Sequence, residues 1–341
     1  MFTNLWKNFR AWLSKRWVLA FFVALILLLW LVPEWLKKTS PTIIRTLGSS
    51  TQHVNALWFK MDFFTLAAEN TSGVVYALPL DRKSLLTFDN TSGATLWSVK
   101  LPSDQSGVRD LLADQDTVFV VNTLSVYAYE AKTGELTWST ELGQGHVSII
   151  GQLDSGVIRV YYGDQIYELD ADTGKTLSTL PKDSIVWISG NTVLKGTSAF
   201  DRQTGKLLWD HGPLFYIDER VEPEDLGINI LLVAQAPGSS VSRGLCALNL
   251  QTGQYSWCRP EEFNSMVAID YQSLRGYAMR SDNVLLTINL LTGDILGETS
   301  FLANELTPAE MGSFASIAVS KGVVVVSFSD SGQTFGLKFL P

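Results

Sequence analysis

Residues 200–209 read FDRQTGKLLW, and the same arrangement returns five more times: FDNTSGATLW (88–97), YEAKTGELTW (129–138), LDADTGKTLS (169–178), LNLQTGQYSW (248–257) and INLLTGDILG (288–297). The glycines Gly93, Gly134, Gly174, Gly205, Gly253 and Gly293 are spaced 41, 40, 31, 48 and 40 residues apart. A period near forty in strand-rich sequence is what a propeller blade of four strands requires.

Each position of the pattern has a physical reason. Four residues before the glycine stands Asp89, Glu130, Asp170, Asp201, Asn249 or Asn289. Short polar side chains of this kind bond backbone N–H groups two residues on and shape a turn, a role that excludes Glu130. The glycine supplies a positive φ at low steric cost, so the chain reverses into the next strand of a hairpin. Four residues after it stand Trp97, Trp138, Trp209 and Trp257. A large ring at one fixed place per blade packs between neighbouring blades, on a face that a single blade cannot bury. Ser178 and Gly297 break the pattern, which predicts looser docking at the third and sixth blades.

Upstream of the motifs lie apolar or alternating runs such as VVYAL (74–78), TVFVV (117–121), VIRVYY (157–162) and VVVVSF (323–328), which read as strands. The last segment, 315–340, has strands but no hairpin motif after them, while ALWFKMDFFTL (56–66) reads as a strand without a blade. Pairing the two lets the N-terminal strand complete the C-terminal blade and closes the ring without an exposed edge. The expected fold is therefore all-β, a propeller of seven four-stranded blades over residues 56–341.

Over that span the pattern resembles the PQQ-like (quinoprotein-type) β-propeller repeat of quinoprotein alcohol dehydrogenases and of the propeller lipoproteins of bacterial outer-membrane protein assembly. The resemblance implies the fold; its members include both enzymes and non-catalytic scaffolds. The quinoprotein enzymes hold their cofactor with an adjacent cysteine pair, a stacking Trp and Ca²⁺ ligands near the axis. Here the two cysteines, Cys246 and Cys258, stand twelve residues apart. The reading therefore assigns no catalytic, cofactor or metal residue. The lipoproteins carry an acylated cysteine after the signal sequence, whereas no cysteine precedes residue 246.

Before the repeats, residues 17–32 read WVLAFFVALILLLWLV, apolar character continues to Leu36, and no small-residue cleavage pattern follows. About twenty helical residues span a bilayer core, so 17–36 is expected to be a transmembrane helix acting as an uncleaved signal anchor. Lys7, Arg10, Lys15 and Arg16 precede the span and Lys37, Lys38 and Arg45 follow it, which leans toward a cytoplasmic N-terminus. Residues 1–16 suit either an amphipathic helix on the cytoplasmic leaflet or a plain extension of the span. Residues 37–55 read as a tether. The expected location is the plasma (inner) membrane, single-pass, with the propeller outside the cytoplasm.

The chain has 341 residues and a formal charge of −8; without residues 1–45 it holds 19 Lys and Arg against 33 Asp and Glu, a formal −14. Such a body is repelled by nucleic acid, whose binding requires a basic face. Cys246 and Cys258 sit on the two arms of one hairpin, where either a cross-strand disulfide or two buried thiols would fit. His53, His146 and His211 fall in different blades or linkers, with no zinc-like spacing. Asp218, Glu219, Glu222, Glu224 and Asp225, in DERVEPED, form an acidic stretch that reads as a solvated inter-blade loop, a partner-binding rim or a weak Ca²⁺ site; Glu261 and Glu262 follow in the next connection. Two functions follow: a non-catalytic protein-interaction scaffold, in envelope protein assembly or as an accessory subunit of a membrane complex, and a small-ligand binder or quinone-dependent enzyme using the axial pocket. The expected partners are other proteins of such a complex and, through 17–36, the bilayer.

Overall fold

The computed structural model describes residues 43–47, 54–60, 64–68 and most of 71–339; residues 103–109, 144–146, 182–185, 211–216, 221–229, 234–243, 303–314 and 329–331, with positions 123, 155, 190, 196–197 and 266, lie outside the description. All described residues belong to one compact unit, Ile43–Pro341. They form strands and turns, with no helix among them. The predicted transmembrane span 17–36 and the segment 1–16 lie outside the described residues.

Two strands, β1 (Ile43–Leu47) and β2 (Val54–Lys60), precede the first sheet. That sheet is β3 (Phe64–Ala67), β4 (Val74–Pro79), β5 (Ser84–Asp89) and β6 (Thr95–Lys100). The second is β7 (Asp110–Ala113), β8 (Thr117–Val121), β9 (Ser125–Glu130) and β10 (Leu136–Glu141). The third is β11 (Val147–Asp154), β12 (Val157–Tyr162), β13 (Gln165–Asp170) and β14 (Thr176–Pro181). The fourth is β15 (Val186–Ser189), β16 (Thr192–Lys195), β17 (Ser198–Asp201) and β18 (Leu207–Asp210). The fifth is β19 (Ile217–Arg220), β20 (Ile230–Val233), β21 (Leu245–Asn249) and β22 (Tyr255–Arg259). Then come β23 (Ala268–Asp270), β24 (Arg275–Met279), β25 (Val284–Asn289) and β26 (Ile295–Leu302), and finally β27 (Ala315–Ser320), β28 (Val323–Phe328) and β29 (Gln333–Phe339).

Every sheet is antiparallel, and first strands of consecutive sheets lie against one another: β27 on β3, β3 on β7, β7 on β11 and β23 on β27. Inner strands are therefore covered on both faces by neighbouring blades, which is why β28, VVVVSF, is buried at all six positions. Apolar layers sit between sheets: Phe119, Val121 and Ala128 of the second meet Ile158, Val160 and Leu169 of the third. Tyr76, Leu78 and Leu85 of the first likewise meet Val118, Val120 and Tyr129 of the second.

Three expectations need correction. Among the described residues six sheets, rather than seven, are four-stranded; the group β23–β26 carries β1 as a fifth strand, Ile43 opposite Leu302 and Leu47 opposite Glu298. Residues 43–47, read as part of a tether, are thus sheet-forming, because IIRTL offers β-branched residues to an open edge. The stretch 56–66 is two strands: β2 pairs with β29, while β3 opens the first sheet.

Closure of the C-terminal sheet by β2 follows the sequence reading, and polar bonds reinforce that junction. Ser327 Oγ accepts from the Phe64 amide at 2.8 Å, Ser316 Oγ from the Leu66 amide at 2.9 Å, and Asn90 Nδ2 donates to the Ser320 carbonyl at 2.6 Å. Removing residues 1–60 is expected to strip β2, expose the β29 edge and cost at least about 3 kcal/mol through loss of Trp58 alone. Light scattering should then show association and thermal melting an earlier transition, whereas a chain lacking only residues 1–42 melts as the full chain does.

Candidate functional site

The hairpin glycines have φ between 67° and 74°. In each hairpin the glycine N–H donates to the carbonyl of the residue four before it at 2.8 Å, and that residue's own N–H donates to the carbonyl just after the glycine. The side chain of the leading residue finishes the turn. Asp201 Oδ1 accepts from the Gln203 amide, the Thr204 amide and the Thr204 hydroxyl, and Asn249 and Asn289 take two amides each. Glu130, too long for the amide contacts, takes the Thr133 hydroxyl at 2.5 Å instead. The donated hydroxyls of Ser92, Thr173 and Thr204 hold the carboxyls of Asp89, Asp170 and Asp201 below the usual aspartate range, with the adjacent amides adding to the effect.

Each tryptophan ties one sheet to the next. Trp97 Nε1 donates to the Ala131 carbonyl at 3.0 Å, Trp138 to Ala171 at 2.9 Å, Trp209 to Leu250 at 2.9 Å and Trp257 to Leu290 at 2.9 Å. Each acceptor lies three residues before the next motif glycine, and the ring lies over that glycine: a Cβ added at Gly134, Gly174, Gly253 or Gly293 would come within less than 3.0 Å of it. The glycine therefore has a second task beyond its φ, as the seat of the preceding blade's ring.

The sequence reading missed a fifth tie. Trp58 of β2 donates to the Asn90 carbonyl at 2.7 Å and covers Gly93, while Gly336, opposite it on β29, leaves room for the indole. The signal was present: Trp58 precedes its acceptor by 32 residues, and the other four ties span 33 to 41. It was obscured because β2 has no hairpin of its own. Also absent from the sequence reading is a register shift just before each ring, between Leu136 and Trp138 and between Ala56 and Trp58 for example. A bulge re-aims the next side chain, here toward the neighbouring sheet.

At the two breaks the chemistry changes. Ser178 Oγ donates to Glu168 Oε2 at 2.6 Å, and Arg159 Nε donates to Glu168 Oε1 at 2.9 Å. The serine hydroxyl and the Arg159 guanidinium hold the Glu168 carboxyl below its ordinary value against partial burial. Gly297 stands opposite Thr287, with β1 added alongside on β26.

The cysteines are Cα partners across β21 and β22, and a disulfide joins them. The acidic stretch is not wholly a loop: Asp218 and Glu219 lie in β19, the first strand of the fifth sheet, while Glu222, Glu224 and Asp225 lie outside the described residues. β19 runs from Ile217 to Arg220, so the strand extends into the start of the predicted loop. His53, His146 and His211 also lie outside the description. Among the described residues no three His, Cys, Asp or Glu are grouped to hold a metal ion. Burial pushes the phenols of Tyr129 and Tyr277 up to about 12, with the charge of Asp270 adding at Tyr277, so neither serves as a base near neutral pH.

A family model described as outer membrane protein assembly factor BamB matches residues 81–193, the part holding the first three hairpins. No curated protein matches the chain in sequence. Among solved structures, BamB from Moraxella catarrhalis is 15% identical, covering 87% of this chain and 96% of that one at a TM-score of 0.47. The computationally designed Ika8 protein is 16% identical, covering 84% and 98% at 0.50. KlHsv2 with loop 6CD replaced by a Gly-Ser linker is 12% identical, covering 82% and 98% at 0.53. The last two likenesses show the fold alone. The chain is thus a β-propeller that, over residues 81–193, resembles the PQQ-like assembly-factor family.

Trp138→Ala is expected to cost about 3 kcal/mol, since it empties an inter-sheet contact and loses a hydrogen bond. Ser178→Ala, at the equivalent place, should cost about 1 kcal/mol or less, and urea denaturation compares them. Because folding lowers the pKa values of Asp89, Asp170 and Asp201, the folded chain binds fewer protons at these groups than the unfolded chain. Their contribution is in place above the unfolded aspartate value of about 3.9 and is lost as pH falls through the lower folded values. Replacing all three by Asn, which already serves at positions 249 and 289, should flatten the decline in urea midpoint between pH 5 and pH 3.

Proposed function

We propose that this chain is a membrane-anchored, extracytoplasmic propeller that acts as a non-catalytic protein-interaction scaffold in envelope protein assembly. One observation carries the reading: within the segment that matches the assembly-factor family, large apolar side chains stand in solvent just after the hairpin glycine on consecutive outer strands. Leu96 on β6 is 54% exposed, Leu136 on β10 45% and Leu177 on β14 53%, and Leu207 and Leu208 continue the row on β18. Each follows its hairpin glycine by two or three residues, at the bulge that turns the tryptophan position inward. A row of leucines repeated from blade to blade costs solvation in a lone monomer and suits an interaction rim.

The anchor at 17–36 supports a plasma-membrane location with the N-terminus in the cytoplasm, and the acidic body suits neutral or basic protein surfaces in preference to nucleic acid. An accessory subunit of another membrane complex would use the same rim.

Capture of the tagged full-length chain from its native membranes in mild detergent, beside a chain lacking residues 1–42, tests the proposal. The expected result is one or a few stoichiometric partners that survive moderate salt and are lost when Leu96, Leu136 and Leu177 are all replaced by Lys. A clean monomer in every case overturns it and directs attention to small-ligand binding by the isolated propeller.

A further inference from the structure

We propose that the seam between the third and fourth sheets holds a vacant tryptophan seat, which takes an indole side chain presented by a partner protein. The proposal rests on the scaffold reading and names the chemistry by which one partner is held.

The five filled seats define what a seat is: a hairpin glycine at positive φ whose bare backbone accepts a ring, and a carbonyl three residues earlier that accepts the indole N–H. The fourth sheet keeps all of this. Gly205 has φ +67, its amide donates to the Asp201 carbonyl at 2.8 Å, and the Asp201 amide donates to the Lys206 carbonyl at 2.8 Å, as in the other hairpins. The acceptor position is the Arg202 carbonyl. Among the described residues nothing lies within 4 Å of a Cβ placed on Gly205, whereas rings crowd Gly93, Gly134, Gly174, Gly253 and Gly293.

The third sheet keeps the aim of the missing ring but not the ring. Ser178 pairs with Glu168 and Thr176 with Leu169, so the register shift that turns Trp138 toward its seat is retained in β14. Across the sheet at this level, where the second sheet presents Phe119, Ala128 and Trp138, the third presents Arg159, Glu168 and Ser178. The side chains of Arg159 and Glu168 remain only 18% and 22% exposed. An entering indole would lie flat over Gly205, donate to the Arg202 carbonyl and bring its π face to the Arg159 guanidinium, which stands where Phe119 meets Trp138 in the second sheet.

The other break shows that the retention matters. After Gly297 the next sheet has no hairpin between its third and fourth strands, because β29 and β2 come from opposite ends of the chain. There ring and seat are lost together. Between the third and fourth sheets only the ring is lost, and a seat built to the same pattern as five occupied ones remains.

The test is fluorine NMR of the full chain titrated with 5-fluoroindole. Saturable binding in the millimolar range is expected, with at least about a five-fold loss, roughly one hydrogen bond, for 1-methyl-5-fluoroindole, which lacks the donor. Ser178→Trp combined with Glu168→Ala and Arg159→Phe recreates the Phe–Ala–Trp row of the second sheet; it should abolish probe binding and raise the melting temperature, while Ser178→Ala leaves binding in place. Equal binding by wild type and the filled variant, no preference for the free N–H, or no saturable binding overturns the proposal. A membrane partner captured equally by wild type and the filled variant also overturns it while leaving the scaffold reading intact. A wild-type dimer that the filled variant converts to monomer assigns the seat to a second copy of this chain and overturns the partner-protein assignment.

Discussion

The tie between a tryptophan on the last strand of one sheet and the hairpin glycine of the next is the contact on which the rest of this propeller depends. A four-stranded meander has two apolar faces and cannot bury either alone. The ring covers apolar surface and its N–H fixes the angle at which the neighbour arrives, since a hydrogen bond constrains direction where burial does not. The glycine is required twice over: by the turn, and by the ring that rests on it. Burial and register are thereby set by the same pair of residues at each of the five tied seams.

This arrangement explains why the ends of the chain meet as they do. A propeller left open would expose the faces of its first and last blades and the edge of its last strand. β2 removes the edge by pairing with β29, and Trp58 performs on Asn90 and Gly93 what its four counterparts perform elsewhere. The serine and asparagine bonds across the same junction join residues more than two hundred positions apart, so they form only when the ring closes. The addition of β1 to β26 follows the same logic of covering an edge, at a blade whose outer strand carries Gly297 in place of a ring.

Where the tie is absent between the third and fourth sheets, the replacement is polar and internally satisfied. Glu168 accepts from Arg159 and Ser178, so a partly buried charge is matched within its own sheet. The row of exposed leucines passes over this region, with Leu177 directly before Ser178 and Leu207 and Leu208 after Gly205. Rim and seam thus form adjoining parts of one side of the ring, the part where the usual blade-to-blade contact is relaxed.

Local chemistry alone determined the hairpins, the strand-rich class, the repeat and the four tryptophans that follow the glycines, because turn geometry and strand alternation depend on neighbours two to five residues away. The same locality made Ser178 and Gly297 visible as breaks. Tertiary structure alone decided the role of Trp58, the room made by Gly336, the fifth strand at Ile43–Leu47, the strand that takes in Asp218 and Glu219, and the pairing of Cys246 with Cys258 over the alternative of free thiols. In each of these the partner lies across a register or on another sheet, and a one-residue bulge decides which face a side chain takes. Such information is carried by the closure of the ring as a whole, which no window of sequence contains.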